Sequence, residues 1–139
     1  ASPVFYTIGY SYKKCKYNRS TWSIGVVFKL MPNTYVNAKK DLTTTDITTL
    51  YTAPALTTGI IKSILVSEDS GNADTITLTI TDAESSPATF NLFKTKAVSA
   101  NSTVELLTNP LVVQTGEVLK ITAATANRLH VVASILEVS

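Results

Sequence analysis

Cysteine and histidine, on which many catalytic and metal sites depend, are almost absent from this sequence. Its 139 residues include one cysteine, Cys15, and one histidine, His130. A lone cysteine excludes an intrachain disulfide and a cysteine-based zinc site, and a lone histidine excludes a metal site built from several histidines. No apolar run approaches the roughly 18 residues that cross a membrane. We therefore expect no such metal site and no membrane partner.

Motifs for nucleotide and glycoside chemistry are missing as well. The five glycines form neither G-x-x-x-x-G-K nor G-x-G-x-x-G, so nucleotide chemistry has no support. The ten acidic residues lie mostly in predicted turns, and no facing pair of the kind that a glycosidase needs stands out. His130 has no sequence neighbour to orient it as a base, so packing or an interface is its favoured role. We predict a non-enzymatic protein without a cofactor.

Acidic residues are wholly absent from the first 40 positions. This part contains seven basic residues, a charge of +7, whereas residues 41–139 contain five basic and ten acidic residues, a charge of −5. Five of the six tyrosines and the only tryptophan also precede residue 41. This break in composition indicates two parts. They are a basic, aromatic N-terminal arm or hairpin over residues 1–42 and a domain over residues 43–139.

The N-terminal part contains two extended apolar runs, residues 5–12 and 22–30, on either side of a basic turn. Three roles remain open for it: packing on the domain, docking on an acidic protein surface, and binding glycan or single-stranded nucleic acid. Docking is preferred to the last role, and we expect no nucleic-acid partner. Alternatively, Met31 begins a complete domain and residues 1–30 are an extension. The candidate docking residues are Tyr10, Tyr12, Lys13, Lys14, Lys16, Arg19 and Trp22.

From residue 43 onward the sequence is typical of a β-sheet protein. Short runs of Thr, Val, Ile and Leu alternate with turn residues about every ten positions, and no helical period is sustained. This pattern predicts an all-β fold, a single two-sheet antiparallel β-sandwich of jelly-roll-like form with the extended N-terminal arm or hairpin attached. The predicted strands cover residues 45–52, 60–66, 75–81, 89–94, 103–107, 111–113, 118–123 and 129–138.

Two of these strands are predicted to pair as a hairpin. Residues 60–66 and 75–81 flank a turn with Gly71 and Asn72, which tolerate a tight reversal. In the second strand Ile76, Leu78 and Ile80 should be buried, and the alternating threonines should be more exposed. The acidic residues of the turn, Glu68, Asp69 and Asp74, have the wrong spacing for a calcium loop, so we interpret the turn as solvated.

The last predicted strand is apolar on both faces. Such a strand lies in the centre of a sheet or under a neighbouring chain. We expect Val132, Leu136 or Val138 to face another subunit or the N-terminal segment.

Three segments resemble small β-sandwich virion proteins of tailed bacteriophages, particularly those of cyanobacteria and other marine bacteria. They are LYTAPALTTGIIKSILVSE, DTITLTITD and KAVSANSTVELLTNPLVVQTGEVLKITAATANRLHVVASILE. The resemblance is one of strands and turns, without a catalytic motif, and it does not extend to residues 1–42.

The resemblance implies a virion structural protein. The function we favour is a decoration or cement subunit on the capsid surface that stabilises the head. The partners would be the major capsid protein or another virion protein. A homo-oligomer is expected as well, and three-fold capsid positions favour a trimer. The alternative is a tail, collar or fibre-associated protein that contacts host-surface glycan.

Overall fold

The structure is a computed structural model that describes residues 32–139. The described residues belong to one compact unit, Met31–Ser139. They form nine strands and no helix. The strands are β1 (Asn33–Asp41), β2 (Thr48–Thr52), β3 (Thr58–Glu68), β4 (Asp74–Thr81), β5 (Thr89–Val98), β6 (Thr103–Glu105), β7 (Leu111–Val113), β8 (Val118–Ala123) and β9 (Leu129–Val138).

The strands form two antiparallel sheets that pack face to face. Sheet A has the order β1-β9-β3-β6, with β7 also paired to β3, and sheet B has the order β2-β8-β4-β5. The pairs β1–β9, β2–β8, β3–β6/β7 and β4–β5 are those of one long hairpin whose two arms run side by side. Successive pairs alternate between the sheets, which is the double Greek-key arrangement of a jelly roll. The predicted two-sheet sandwich is confirmed.

The core lies between the sheets and consists of alternate residues from the central strands. This period of two is that of strands with one covered face. Strand β4 confirms the predicted burial of Ile76 and Leu78, while Ile80 is only half-buried. Completely buried side chains include Ile61, Ile64 and Val66 of β3, Ile76 and Leu78 of β4, Leu119 and Ile121 of β8, and Leu129, Val131 and Ala133 of β9.

The predicted hairpin between β3 and β4 is wrong, because these strands lie in different sheets. Strand β3 pairs with β9, β6 and β7, whereas β4 pairs with β5 and β8. The connecting loop therefore crosses from one sheet to the other. Alternating apolar residues and turn residues indicate that the chain reverses between two strands. These signals do not distinguish a hairpin within one sheet from a loop that crosses between two sheets.

The sandwich begins earlier than the sequence boundary at residue 43. Residues 33–41, assigned to the arm, form β1 and pair with β9 along its whole length. Only Val36 and Ala38 of β1 are half-buried, and its other residues are exposed. An edge strand with so few apolar positions gives almost no alternation to detect. The predicted arm hairpin over residues 5–30 lies outside the described residues.

Gly59 makes room for a buried tyrosine at one end of the core. A β-carbon at Gly59 would lie 2.7 Å from the hydroxyl oxygen of Tyr51, so any larger residue would displace the ring. The Tyr51 hydroxyl donates a hydrogen bond of 2.9 Å to Glu137. Burial and this contact with a carboxylate raise the pKa of Tyr51 well above its usual value. The tyrosine is therefore a neutral donor that joins β2 to β9 across the sandwich.

The packing of β4 gives a first prediction. Leu78 is 0% exposed, so Leu78→Ala should remove about 2–5 kcal/mol from the free energy of unfolding, through lost burial and a cavity. Thr79→Ala, on the opposite face of the same strand, is the matched control and should cost less than about 1 kcal/mol. Urea unfolding of both variants measures the difference. Equal losses for the two variants would contradict the assignment of the faces.

Candidate interaction surface

The docking residues predicted from the sequence lie outside the described part of the chain. Tyr10, Tyr12, Lys13, Lys14, Lys16, Arg19 and Trp22 all precede residue 32. Their role stays a prediction. The candidate surface described below is built from residues of the sandwich.

The outer face of sheet A, opposite the core, carries an apolar row. Antiparallel pairing places Tyr35 beside Leu136, Leu136 beside Ile60, and Ile60 beside Val112. Opposed side chains in such pairs have β-carbons about 5 Å apart, so these four residues, the apolar row, cross β1, β9, β3 and β7 without interruption. Tyr35 is 76% exposed and Val112 is 52% exposed. The row is a continuous apolar stripe in contact with solvent.

A second row on the same face has opposite charges at its ends. It consists of Lys39, Val132, Leu65 and Glu105, on β1, β9, β3 and β6, and we call it the charged row. Its two middle residues are apolar, and Leu65 is 42% exposed. The face therefore carries the apolar row and the charged row on either side of a polar level of Asn37, Ser134 and Ser63. The charged row has its basic end at β1 and its acidic end at β6.

The acidic end of the charged row is held in place by the chain itself. Glu105 accepts hydrogen bonds from the backbone N–H of Ile64 at 2.8 Å, from that of Leu107 at 3.1 Å, and from the Ser63 hydroxyl. Burial alone would disfavour its charged form, but these donors outweigh burial and hold the pKa of Glu105 below its usual value. Glu105 is therefore an ionised group at a fixed position, without a rotamer search to make before it meets a cation.

His130 lies at one end of the same face, between two carboxylates. Its Nε2 is 3.3 Å from Asp41 Oδ1 and its Nδ1 is 3.6 Å from Asp69 Oδ2. All three side chains are largely exposed, which leaves this pair of contacts open to water and screening salt. The cluster joins β1, β9 and the β3–β4 loop, and the predicted packing or interface role of His130 stays a prediction.

Glu68, interpreted from the sequence as part of a solvated turn, is instead buried, at 2% exposure. Its carboxylate accepts hydrogen bonds from the backbone N–H groups of Ser70 at 2.9 Å, Gly71 at 3.2 Å and Asn101 at 2.9 Å, and from the Ser70 hydroxyl. The crossing loop has too few backbone partners of its own, and the carboxylate satisfies these N–H groups. The Glu68 carboxylate therefore acts within the fold, as the acceptor for these donors.

The outer face of sheet B is different in character. Its central strands present Thr75, Thr77 and Thr79 of β4 beside Lys120 and Thr122 of β8. Hydroxyl and ammonium groups keep such a surface hydrated. Sheet A is therefore the better candidate for a protein contact.

Within residues 32–139 we find no group of three or more His, Cys, Asp or Glu side chains that could hold a metal ion. Nor does this part of the chain include a helix long and apolar enough to cross a membrane. A shallow depression between β1 and β9 is lined by Tyr35, Asn37 and Ser134 together with Val36 and Ile135. These residues include no acid, base or nucleophilic pair suited to catalysis.

Comparisons with known proteins do not assign the chain to a family. No protein-family model matches the chain, and a search of curated proteins found no match.

The sequence pointed to part of the candidate surface and missed the rest. Val132, Leu136 and Val138 were expected to need cover, and they do lie on the outer face of sheet A, half-buried. The contributions of Tyr35, Ile60 and other residues depend on the register between strands distant in sequence. The opposite charges of the charged row come from β1 and β6, which do not touch each other, so no local signal could have joined them.

The Glu68 site predicts a specific loss of stability in acid. Its hydrogen bonds outweigh its burial and lower the pKa of Glu68 from 4.5 to about 2. Between these two values the unfolded chain binds a proton that the folded chain does not, so the free energy of unfolding should fall as the pH falls from about 4.5 towards 2. Urea unfolding at a series of pH values measures this slope.

The matched variants for this measurement are Glu68→Gln and Glu84→Gln. Glu68→Gln should be less stable than the parent at pH 7 and should lose less stability in acid, with the remaining slope supplied in part by Glu105. Glu84 lies exposed in a turn, and its variant should follow the parent. Parallel curves for the parent and Glu68→Gln would show that the carboxylate is not the group that titrates.

Proposed function

We propose that this protein is a non-enzymatic structural subunit of a tailed-phage virion, and that it decorates the capsid surface and stabilises the head. The observation that carries the proposal is the outer face of sheet A, where apolar side chains cross four strands of a rigid sandwich. Single exposed apolar residues are normal on protein surfaces, whereas a contiguous apolar stripe with polar surroundings is typical of a contact site. The sandwich is the rigid body and this face is one of its contacts.

The physical basis of such a role is burial of additional surface across joints between subunits. Each 100 Å² of apolar surface removed from water contributes about 2.5 kcal/mol before the costs of association are subtracted. A rigid β-sandwich has little conformational entropy left to lose when it docks. The jelly-roll arrangement occurs in viral capsid proteins and also in lectins, so it agrees with this role without selecting it. The segments quoted for the phage resemblance favour the virion.

The basic N-terminal segment supplies a second contact in this proposal. Residues 1–30 have a charge of +5 and the remainder of the chain has −3, so the segment suits an acidic protein surface such as a capsid shell. At physiological salt, charges are screened beyond about 8 Å. Docking must therefore involve direct contact, with Tyr10, Tyr12 and Trp22 adding apolar area to the charges.

Location and copy number in purified particles test the proposal. Phage particles that encode this chain are purified, heads and tails are separated, and the chain is quantified by mass spectrometry against the major capsid protein. A decoration subunit should remain with the heads at hundreds of copies per particle. Copies in multiples of three or six, up to a few dozen and with the tails, would replace the head assignment with the tail or fibre alternative. Absence from the particles would overturn the virion role altogether.

The contribution of the basic segment is measured with a charge-loss variant. Replacing Lys13, Lys14, Lys16 and Arg19 together by Gln should release the chain from particles at physiological salt, while its melting temperature changes little. The matched control removes the same charge from the sandwich by replacing Lys40, Lys94, Lys96 and Lys120 by Gln, and this variant should stay bound. Equal retention of both variants would remove the basic segment from the docking mechanism.

A further inference from the structure

We propose that the outer face of sheet A binds the same face of a second copy of this chain, in a two-fold dimer whose axis runs along the strands between β9 and β3. The inference rests on the proposed function only because both assign a contact to the outer face of sheet A. It adds that the partner at this face is a second copy of the chain. It follows from the order of residues in the apolar and charged rows.

A two-fold axis in this position brings each row against itself in the reverse order. In the apolar row, Leu136 then lies opposite the partner's Ile60, and Tyr35 lies opposite the partner's Val112. Every contact along this row joins two apolar side chains. An isologous interface needs such self-complementarity, because the same patch supplies both sides.

The charged row satisfies the same operation. Val132 lies opposite the partner's Leu65, and Lys39 lies opposite the partner's Glu105, so each end of the row meets the opposite charge. The two-fold symmetry makes this ion pair twice. Lys39 donates to Asn37 at 2.8 Å, which leaves two of its N–H donors for the partner.

The other in-plane axis gives a poor match. A two-fold axis across the strands, at the level of Ser134, would reverse the order along each strand and set the apolar row opposite the partner's charged row. Lys39 would then meet the partner's Tyr35, and Glu105 would meet the partner's Val112. Neither charge would meet its opposite, and the carboxylate would lose hydration without gaining a partner. Polarity therefore selects the axis along the strands.

The size of the face indicates a weak, reversible dimer. Strand β1 has nine residues and spans about 26 Å, and four strands are roughly 19 Å wide. The face is thus about 500 Å² per copy, near the lower limit of specific interfaces. We expect a dissociation constant on the order of 10–100 µM.

Lys62 contributes to this weakness. It is the extra residue of a bulge in β3, and it is exposed on a central strand whose inner face is covered by sheet B. Near the proposed axis the two copies of Lys62 would approach each other. Like charges so placed oppose association, and Lys62→Gln should therefore tighten the dimer.

Analytical ultracentrifugation of the full chain from about 1 to 300 µM tests the inference. The parent should show a concentration-dependent monomer–dimer equilibrium. Lys39→Glu should raise the dissociation constant at least about tenfold, while Lys40→Glu, the same charge change one residue away on the other face of β1, should change it less than about twofold. Leu65→Asn should weaken the dimer similarly, and its control Phe90→Asn, an exposed apolar residue of sheet B, should not.

Mixing two charge-reversed chains tests the pairing itself. Lys39→Glu and Glu105→Lys chains should each associate poorly alone, because both contacts in either homodimer join like charges. In an equimolar mixture both contacts again join opposite charges, so a mixed dimer should form with nearly the parent's affinity. If Glu105→Lys does not fold, because Glu105 also accepts hydrogen bonds within its own chain, the Lys39 and Lys40 variants decide the question.

Three outcomes would overturn the inference: a parent that stays monomeric at 300 µM, equal effects of the Lys39 and Lys40 variants, or a trimer. A trimer, expected from three-fold capsid positions, requires a head-to-tail contact between different patches. A monomeric parent would favour residues 1–31 as the cover for this face. A Lys39→Glu chain that is monomeric but binds particles normally would leave the proposed function standing, so failures of the two proposals can be told apart.

Discussion

The position of β9 between β1 and β3 is the constraint on which the rest of the sandwich depends. This ten-residue strand pairs along its whole length with β3 and over nine residues with β1, and its alternation decides which side chains of sheet A face the core. A shift by one residue would turn Leu129 and Val131 to solvent and His130 into the core. The burial of the inner set therefore fixes the register, and the register in turn fixes the rows on the outer face.

Carboxylates at one end of the sandwich accept hydrogen bonds from backbone N–H groups of the loops that connect the strands. Glu68 caps the crossing between the sheets, and Asp74 accepts from the backbone N–H of Thr125 at 3.1 Å. Asp41 and Asp69 contact His130 at the same end. Loops that change sheets leave N–H groups without strand partners, and acceptor-only side chains satisfy several of them at once. Glu68 and Asp74 at these strand ends therefore act as acceptors that hold the loops between the sheets.

The two outer faces of the sandwich differ in character. Threonine and lysine keep sheet B hydrated, whereas sheet A presents the apolar row and the charged row, which ends at Lys39 and Glu105. Association through the outer face of sheet A would be limited by the modest area of the face and by the charge of Lys62. Attachment would therefore depend on many copies of a weak contact. Multivalent arrangement converts weak contacts into lasting attachment, which suits a subunit repeated on a particle.

Much of the fold was determined by the sequence alone. Alternating residues such as Ile76 and Leu78 indicated strands with one buried face, and turn residues between short runs indicated an all-β sandwich. These signals are local, because the alternation of buried and exposed side chains in a strand depends on residues that are neighbours in the sequence. The apolar composition of β9 also showed that it would be a central strand or a covered one.

Partner choice was decided only by the tertiary structure. The sequence around Gly71 is compatible with a hairpin and with a loop that crosses between the sheets. The structure has the crossing loop, and Glu68 is buried where it accepts hydrogen bonds from the N–H groups of that loop. Strand β1 has too few apolar residues to be detected, yet it completes sheet A because β9 offers it a full edge of hydrogen-bonding groups. The outward rows depend on pairings between strands up to a hundred positions apart in the chain, and such pairings follow from the packing of the whole core, not from any local pattern.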